Sequence, residues 1–197
     1  MATTSNTKRD ARSAVFNLPN QLTVLRLLLA VVLFGLIAWK MYLVGFVVFV
    51  VAASTDWLDG YFARKYGMVT LLGRILDPFV DKIIICGSFI FLVAEQDSGI
   101  RAWMAVVVVG RELLITALRG YLEQQGADFS ATMSGKLKMV AQCFAVGFSL
   151  FYLNYHRSME LSAGWGHALD ATVWGAVLLT IYSGLAYIQR AIMLLRQ

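Results

Sequence analysis

The stretch STDWLDGYFARKYGMVTLLGRILDPFVDK, residues 54–82, gathers acidic residues in a chain that is otherwise strongly apolar. It contains Asp56, Asp59, Asp77 and Asp81, although only 12 of the 197 residues are acidic. The first two are three residues apart and the last two are four apart, so each pair shares a face if its segment is helical. An aspartate at the centre of a membrane costs about 2.5–3.5 kcal/mol on insertion scales, so such acids indicate a functional site.

The composition predicts an all-α integral membrane protein. Hydrophobic residues make up 59% of the chain and charged residues only 15%, whereas a soluble domain has about half and about a quarter. Apolar runs of about 18 residues or more indicate transmembrane helices. Six such spans fit the sequence, at residues 21–39, 43–64, 74–95, 101–122, 136–155 and 171–194. Residues 1–16 are polar and are expected to form a tail or an interfacial helix before a six-helix domain at 17–197.

The distribution of basic residues orients these spans. With the N-terminus in the cytoplasm, 11 of the 17 Lys and Arg residues fall on the cytoplasmic side and three on the opposite side, while Arg26, Lys82 and Arg111 fall within spans. Cytoplasmic flanks of spanning helices are enriched in basic residues. We therefore expect both termini to be cytoplasmic, the active site to lie at the cytoplasmic side, and membrane lipids rather than nucleic acid to account for the net charge of +5.

The four aspartates suit divalent metal ions and a phosphorylated substrate. The connection RKYGMVTLLGR, residues 64–74, is short, so the two aspartate pairs should come from antiparallel neighbouring helices and lie at one depth. Mg²⁺ and Mn²⁺ bind through carboxylates together with substrate phosphates, and two such ions stabilise both oxygens of a phosphoryl displacement. Gly60, Ala63 and Gly73 would let a ligand approach the backbone, and Arg64 suits a phosphate group.

The spacing D-x2-D-G-x2-A-R-x8-G-x3-D-x3-D over residues 56–81 resembles the signature of the CDP-alcohol phosphatidyltransferases, and all eight fixed positions match. The resemblance implies transfer of a phosphatidyl group from a CDP-linked lipid to an alcohol, with release of CMP. It implies that two divalent ions, Mg²⁺ or Mn²⁺, are bound by Asp56, Asp59, Asp77 and Asp81, and that Asp81 is also the general base.

The same resemblance extends to the lipid substrate and to the setting of the protein. The segment NLPNQLTVLR, residues 17–26, resembles the beginning of the first span in this family. The residues expected to hold the CDP-lipid are Asn20, Thr23, Asp56, Asp59, Gly60, Ala63, Arg64, Thr70 and Gly73. A homodimer in the bacterial cytoplasmic (inner) membrane is the expected assembly, because members of the family are commonly dimers.

The fourth and fifth spans contain the residues that indicate the acceptor alcohol. The segment GRELLITALRG, residues 110–120, places Arg111 and Arg119 on roughly one helix face, and Lys136 and Lys138 begin the fifth span. A phosphate-bearing acceptor such as glycerol 3-phosphate needs a basic cradle of this kind, whereas serine or choline does not. The segment also resembles the corresponding part of phosphatidylglycerophosphate synthases. We therefore predict that these four cations bind the phosphate of glycerol 3-phosphate, and that CDP-diacylglycerol is the donor.

Other interpretations remain open at this point. Within the same family, a cardiolipin synthase would use phosphatidylglycerol as acceptor, and a phosphatidylserine synthase would use serine. The two lysines are also explained as positive-inside anchors, and Arg111 as the ion-pair partner of Glu112. A cation transporter would use the acids as an ion site, but the four aspartates lie toward one side and no inverted repeat is visible.

Overall fold

The computed structural model describes residues 18–66, 71–125, 133–158 and 162–195, and these residues form six α-helices. In chain order they are α1 (Leu18–Ala38), α2 (Tyr42–Tyr66), α3 (Leu71–Val93), α4 (Ala102–Gln124), α5 (Met133–Ser158) and α6 (Ala163–Leu195). Each predicted span falls on one of them. The last helix begins at Ala163 rather than at residue 171, because no proline interrupts this part of the chain.

Helices α1 and α5 hold the bundle together. Helix α1 packs against α2 and α3, α5 packs against α2, α3 and α6, and α4 packs against α3 and α6. In the described part of the chain, α1 and α5 each pack against both α2 and α3. Direct packing of α2 against α3, which the short connection led us to expect, is not among the main helix contacts of these residues. The core between the helices contains the fully buried residues Leu33, Ile37, Phe89, Leu150 and Val173.

A glycine sets the close approach of α1 and α3. A Cβ atom added at Gly87 would lie 2.1 Å from the ring of Phe34, well inside van der Waals contact. The same ring stacks on Phe91 one helical turn further along α3, with 5.0 Å between the ring centroids. The absence of a side chain at Gly87 therefore lets an aromatic ring of α1 lie directly against the backbone of α3.

The outer surface of the bundle is apolar. Large hydrophobic side chains such as Val31, Val106, Val140 and Leu185 are exposed, which a protein in water avoids over wide areas. Among the described residues, three helices are long and apolar enough to cross a membrane, at Gln21–Ala38, Met133–His156 and Gly164–Leu194, and α2 has a shorter apolar part at Tyr42–Thr55. Helices α3 and α4 carry charged residues within their length. These features are those of a membrane protein.

The connections that follow α1 and α3 lie together at one end of the bundle. The hydroxyl of Tyr42 donates a short hydrogen bond to Glu95, and the hydroxyl of Ser149 donates to the carbonyl oxygen of Ser98 at 2.8 Å. The turn at Ser98 is closed by Gly99, whose φ of +72° favours glycine. This end of the bundle is pinned by its own polar contacts. Asp77 and Asp81 lie near the beginning of α3, toward the other end.

Candidate active site

Asp81 is held by a buried arginine from another helix. The Nη1 atom of Arg26 on α1 donates a hydrogen bond to Oδ1 of Asp81 on α3 at 2.7 Å. The Arg26 side chain is 1% exposed and that of Asp81 is 24% exposed. A charge buried to this degree is stable only when it is paired, and the carboxylate of Asp81 is a partner that Arg26 has in this structure. Thr23, a predicted lipid-binding residue, is buried three residues before Arg26 on the same helix face.

The other three aspartates of the motif lie on α2 and α3. Asp56 and Asp59 are on α2 and Asp77 is on α3, but their side chains are outside the described residues. The same holds for the side chains of the predicted lipid-binding residues Asn20, Gly60, Ala63, Arg64 and Gly73, while Thr70 as a whole lies outside the described residues. The metal ligands and the CDP-lipid contacts therefore stay predictions.

A cavity of about 930 Å³ lies between α3, α4, α5 and α6. Three of the four predicted acceptor residues, Arg111, Arg119 and Lys136, contribute to its wall. Lys82, the residue after Asp81, contributes a fourth cation from α3. The side chains of Glu112 and Glu123 are the carboxylates of this wall among the described residues. Three members of the predicted basic cradle thus share one wall, with an excess of positive charge.

The guanidinium group of Arg111 is fixed from three directions. Its Nη2 atom donates to the hydroxyl of Ser183 on α6 at 2.7 Å, and its Nη1 atom donates to Oε1 of Glu112 at 3.2 Å. The guanidinium also lies over the ring of Tyr187, 5.4 Å from the centroid, where the ring quadrupole attracts a cation. Gly184 makes room for the stem of Arg111, since a Cβ there would lie 3.2 Å from its Cγ.

Lys138 differs from the other predicted acceptor residues. Its Nζ atom makes a short hydrogen bond and ion pair with Oε1 of Glu112, and both side chains are below 10% exposed. Lys138 is absent from the described wall of the cavity. The alternative interpretation of Arg111 as a partner of Glu112 is confirmed as a contact, and it coexists with the position of Arg111 on the cavity.

The cations of the wall retain hydrogen-bonding capacity. The Nε atoms of Arg111 and Arg119 are buried and have no hydrogen-bond partner among the described residues. Buried donors are normally satisfied, but these two Nε atoms have almost no accessible surface, so a ligand in the cavity would meet the outer part of each guanidinium group. Phosphate groups provide acceptor oxygens, and arginine binds them with paired donors.

Four residues of this site were not predicted as such: Arg26, Lys82, Ser183 and Tyr187. Two of them had a sequence signal, because Arg26 and Lys82 are charges within apolar spans, and intramembrane charges indicate function. Ser183 and Tyr187 had none, since serine and tyrosine are common on transmembrane helices. Their role depends on the packing of α4 against α6.

Comparisons with known proteins agree with this arrangement. Residues 16–182 match the family model for CDP-alcohol phosphatidyltransferase. The chain is 35% identical over 191 residues to the CDP-diacylglycerol–glycerol-3-phosphate 3-phosphatidyltransferase of Bacillus subtilis (strain 168), covering 89% of this chain and 95% of the relative. Proteins of the same name from Haemophilus influenzae and Escherichia coli K12 are 33% and 32% identical, again over 89% of this chain and over 94% and 95% of the relatives. The chain belongs to the CDP-alcohol phosphatidyltransferase family.

Proposed function

We propose that this protein transfers the phosphatidyl group of CDP-diacylglycerol to glycerol 3-phosphate, giving phosphatidylglycerol phosphate and CMP in phospholipid biosynthesis. The observation that carries the proposal is the cation-lined cavity beside the helix that bears Asp77 and Asp81. The names of the bacterial relatives specify the same donor and acceptor.

The acid-rich end of α2 and α3 supplies the chemistry of the donor. The set of four carboxylates fits two hard divalent cations, Mg²⁺ or Mn²⁺, which would be held by Asp56, Asp59, Asp77 and Asp81. When bound, such ions polarise the diphosphate and neutralise the charge that develops on the departing CMP. Gly60, Ala63, Arg64 and Gly73, with Asn20, Thr23 and Thr70, would hold the CDP part of the lipid.

In this proposal Asp81 acts on the acceptor as the general base. Its carboxylate accepts a hydrogen bond from Arg26, which fixes its orientation. The next residue in the chain, Lys82, contributes to the wall of the large cavity, whereas Asp81 lines a small cavity of about 50 Å³ that shares Met139 with the large one. In the proposed reaction Asp81 takes the proton of the primary hydroxyl as that oxygen attacks the β-phosphorus of CDP-diacylglycerol.

The acceptor phosphate is held by the cations of the cavity wall. Arg111 and Arg119 contribute their guanidinium groups from α4, and Lys136 adds a charge from the beginning of α5. A phosphate monoester carries about −1.5 to −2 charges at pH 7, which matches the surplus of cations over carboxylates. Serine has no such group, and the phosphate of phosphatidylglycerol is a diester with one negative charge.

The proposal includes the setting in the membrane. Six spans, with both termini and the active site on the cytoplasmic side of the bacterial inner membrane, agree with the distribution of Lys and Arg. In this arrangement the charged acceptor reaches the cavity from the cytoplasm and the acyl chains of the donor stay in the bilayer. Assembly as a homodimer is part of the proposal, and the resemblance to the family supports it.

A turnover assay tests this function. Purified protein in detergent would be given CDP-diacylglycerol and Mg²⁺ or Mn²⁺, with glycerol 3-phosphate, serine, inositol phosphate or phosphatidylglycerol offered separately, and CMP release measured. We expect release with glycerol 3-phosphate, and release with serine or phosphatidylglycerol alone would refute the proposal. Asp81→Asn should abolish turnover, whereas the control Asp170→Asn, which alters an exposed acid on α6, should not.

A further inference from the structure

The structure assigns Lys82, rather than Lys138, as the fourth cation that contacts the acceptor phosphate. This inference rests on the proposed function and deepens it, because it changes one member of the predicted phosphate-binding set. The remaining members, Arg111, Arg119 and Lys136, stay as predicted, and Lys138 becomes the fixed counter-ion of a buried carboxylate.

The position of Lys82 carries the first half of the inference. Lys82 contributes to the wall of the 930 Å³ cavity from α3, opposite the cations supplied by α4 and α5. No carboxylate of the described residues lies within ion-pair distance of its ammonium group. A half-buried ammonium without a close counter-ion is costly, and an anion bound in the cavity would remove that cost.

The neighbours of Lys82 fit a ligand that connects two parts of the site. Its ammonium group interacts electrostatically with Glu112 and Arg119 on the cavity side and with Asp81, the preceding residue, on the side of the motif. A phosphate contact at Lys82 would therefore hold the acceptor beside the helix that carries the proposed general base. None of the other cations of the described wall adjoins Asp81 in the chain.

The second half of the inference depends on the ion pair that Lys138 forms with Glu112. Its ammonium group is paired with Glu112, and both side chains are almost fully buried. Lys138 and Lys136 are two residues apart on α5, so they do not face the same side of the helix. Glu112 also accepts a hydrogen bond from Arg111. In this assignment Lys138 neutralises the carboxylate that helps to fix Arg111 and does not contact the ligand.

The charges of the cavity agree with this division. Lys82, Arg111, Arg119 and Lys136 oppose Glu112 and Glu123 among the described residues of the wall, which leaves two positive charges in excess. This surplus matches the charge of a phosphate monoester at neutral pH. Without Lys82 the described wall would have a surplus of one.

Kinetics of Lys82→Met test the assignment. Loss of a charged contact should raise the KM for glycerol 3-phosphate by roughly 10- to 100-fold, while the KM for CDP-diacylglycerol and the Mn²⁺ concentration for half-activation stay within about twofold. Lys82→Arg should restore most of the affinity because it keeps the charge. The matched control is Lys40→Met, which alters an exposed lysine in the turn after α1 and should leave all three values unchanged.

An unchanged KM for glycerol 3-phosphate in Lys82→Met would overturn the assignment. So would a shift in the Mn²⁺ requirement with an unchanged KM, because Lys82 would then act on the metal site alone. If Lys82→Met is not folded by its melting curve, Lys82→Gln, which keeps length and polarity, carries the same test. Failure of wild-type protein to use glycerol 3-phosphate would instead refute the proposed function, so the two failures are distinguishable.

A double variant tests the role of Lys138. Lys138→Met alone would leave Glu112 short of a counter-ion, so the pair is removed together in Glu112→Gln/Lys138→Met, in which the amide oxygen of the introduced glutamine can still accept from Arg111. We expect this double variant to raise the KM for glycerol 3-phosphate less than Lys82→Met does, because Arg111 keeps its hydrogen bond to Ser183 and no direct contact with the phosphate is lost. An increase as large as that of Lys82→Met would return Lys138 to the phosphate-binding set.

Discussion

The buried ion pair between Arg26 and Asp81 leads to a prediction about stability that does not depend on turnover. Removing one partner of a buried pair costs about 3–5 kcal/mol, because the other charge is left uncompensated. Arg26 is almost fully buried, but Asp81 keeps 24% exposure, so water can reach the carboxylate and the lower end of this range applies. Arg26→Met should therefore lower the free energy of unfolding by about 3 kcal/mol. For a chain of this length that corresponds to a fall in Tm of about 6–12 °C.

The assay is thermal unfolding in detergent, followed by tryptophan fluorescence, with EDTA present so that no divalent ion competes for Asp81. The matched control is Arg101→Met, because Arg101 is an exposed arginine just before α4 and its loss should change Tm by no more than about 2 °C. A double-mutant cycle then isolates the contact, using Asp81→Asn and the combined variant.

We expect the combined variant to lose less stability than the sum of the single losses, by about 1–3 kcal/mol, as for residues in direct contact. The reasoning is refuted if the two losses add within about 0.5 kcal/mol, the limit for independent sites. It is equally refuted if Arg26→Met behaves like the exposed control.

Three further predictions follow from the packing and from the site. Gly87→Ala should cost about 1–3 kcal/mol of stability by overpacking against Phe34, measured as a lower Tm, whereas Gly110→Ala, with open space at its Cβ, should not. Ser183→Ala removes the 2.7 Å hydrogen bond to Arg111 and should raise the KM for glycerol 3-phosphate about tenfold, the equivalent of about 1.4 kcal/mol; an unchanged KM would contradict the anchoring role. EDTA should abolish CMP release and added Mg²⁺ or Mn²⁺ should restore it, and full activity after chelation would exclude the predicted ions.

The helices were predictable because apolar runs of sufficient length leave little choice of structure. Each of the six predicted spans lies on a helix, and the long apolar character of α1, α5 and α6 is confirmed. The beginning of α6 was wrong by about two turns, since a helix can continue beyond its apolar part and the sequence there contains no strong breaker. The relation between α2 and α3 was inferred from the short connection alone, which constrains their ends but not the helices that pack between them.

The site was predictable only as far as single helices allow. Spacing placed Arg111 and Arg119 on one face, and both contribute to the cavity. The contacts of Arg111 with Ser183 and Tyr187 join residues more than 70 positions apart, and no local pattern determines which helices meet. The different positions of Lys136 and Lys138 did have a local signal, because residues two apart on a helix point in different directions.

The cavity between α3, α4, α5 and α6 is larger than glycerol 3-phosphate can fill. Its volume of about 930 Å³ lies near the top of the roughly 300–1,000 Å³ common for drug-sized ligands. Beyond the cations, its wall offers the apolar side chains of Ile83, Val109, Ile115 and Met139. A non-hydrolysable phosphonate with a short hydrocarbon arm would keep the ionic anchor and gain about 0.8 kcal/mol for each methylene that it buries there. An inhibitor could thus be designed from glycerol 3-phosphate and extended along these apolar side chains. It would not need to imitate a nucleotide-linked lipid.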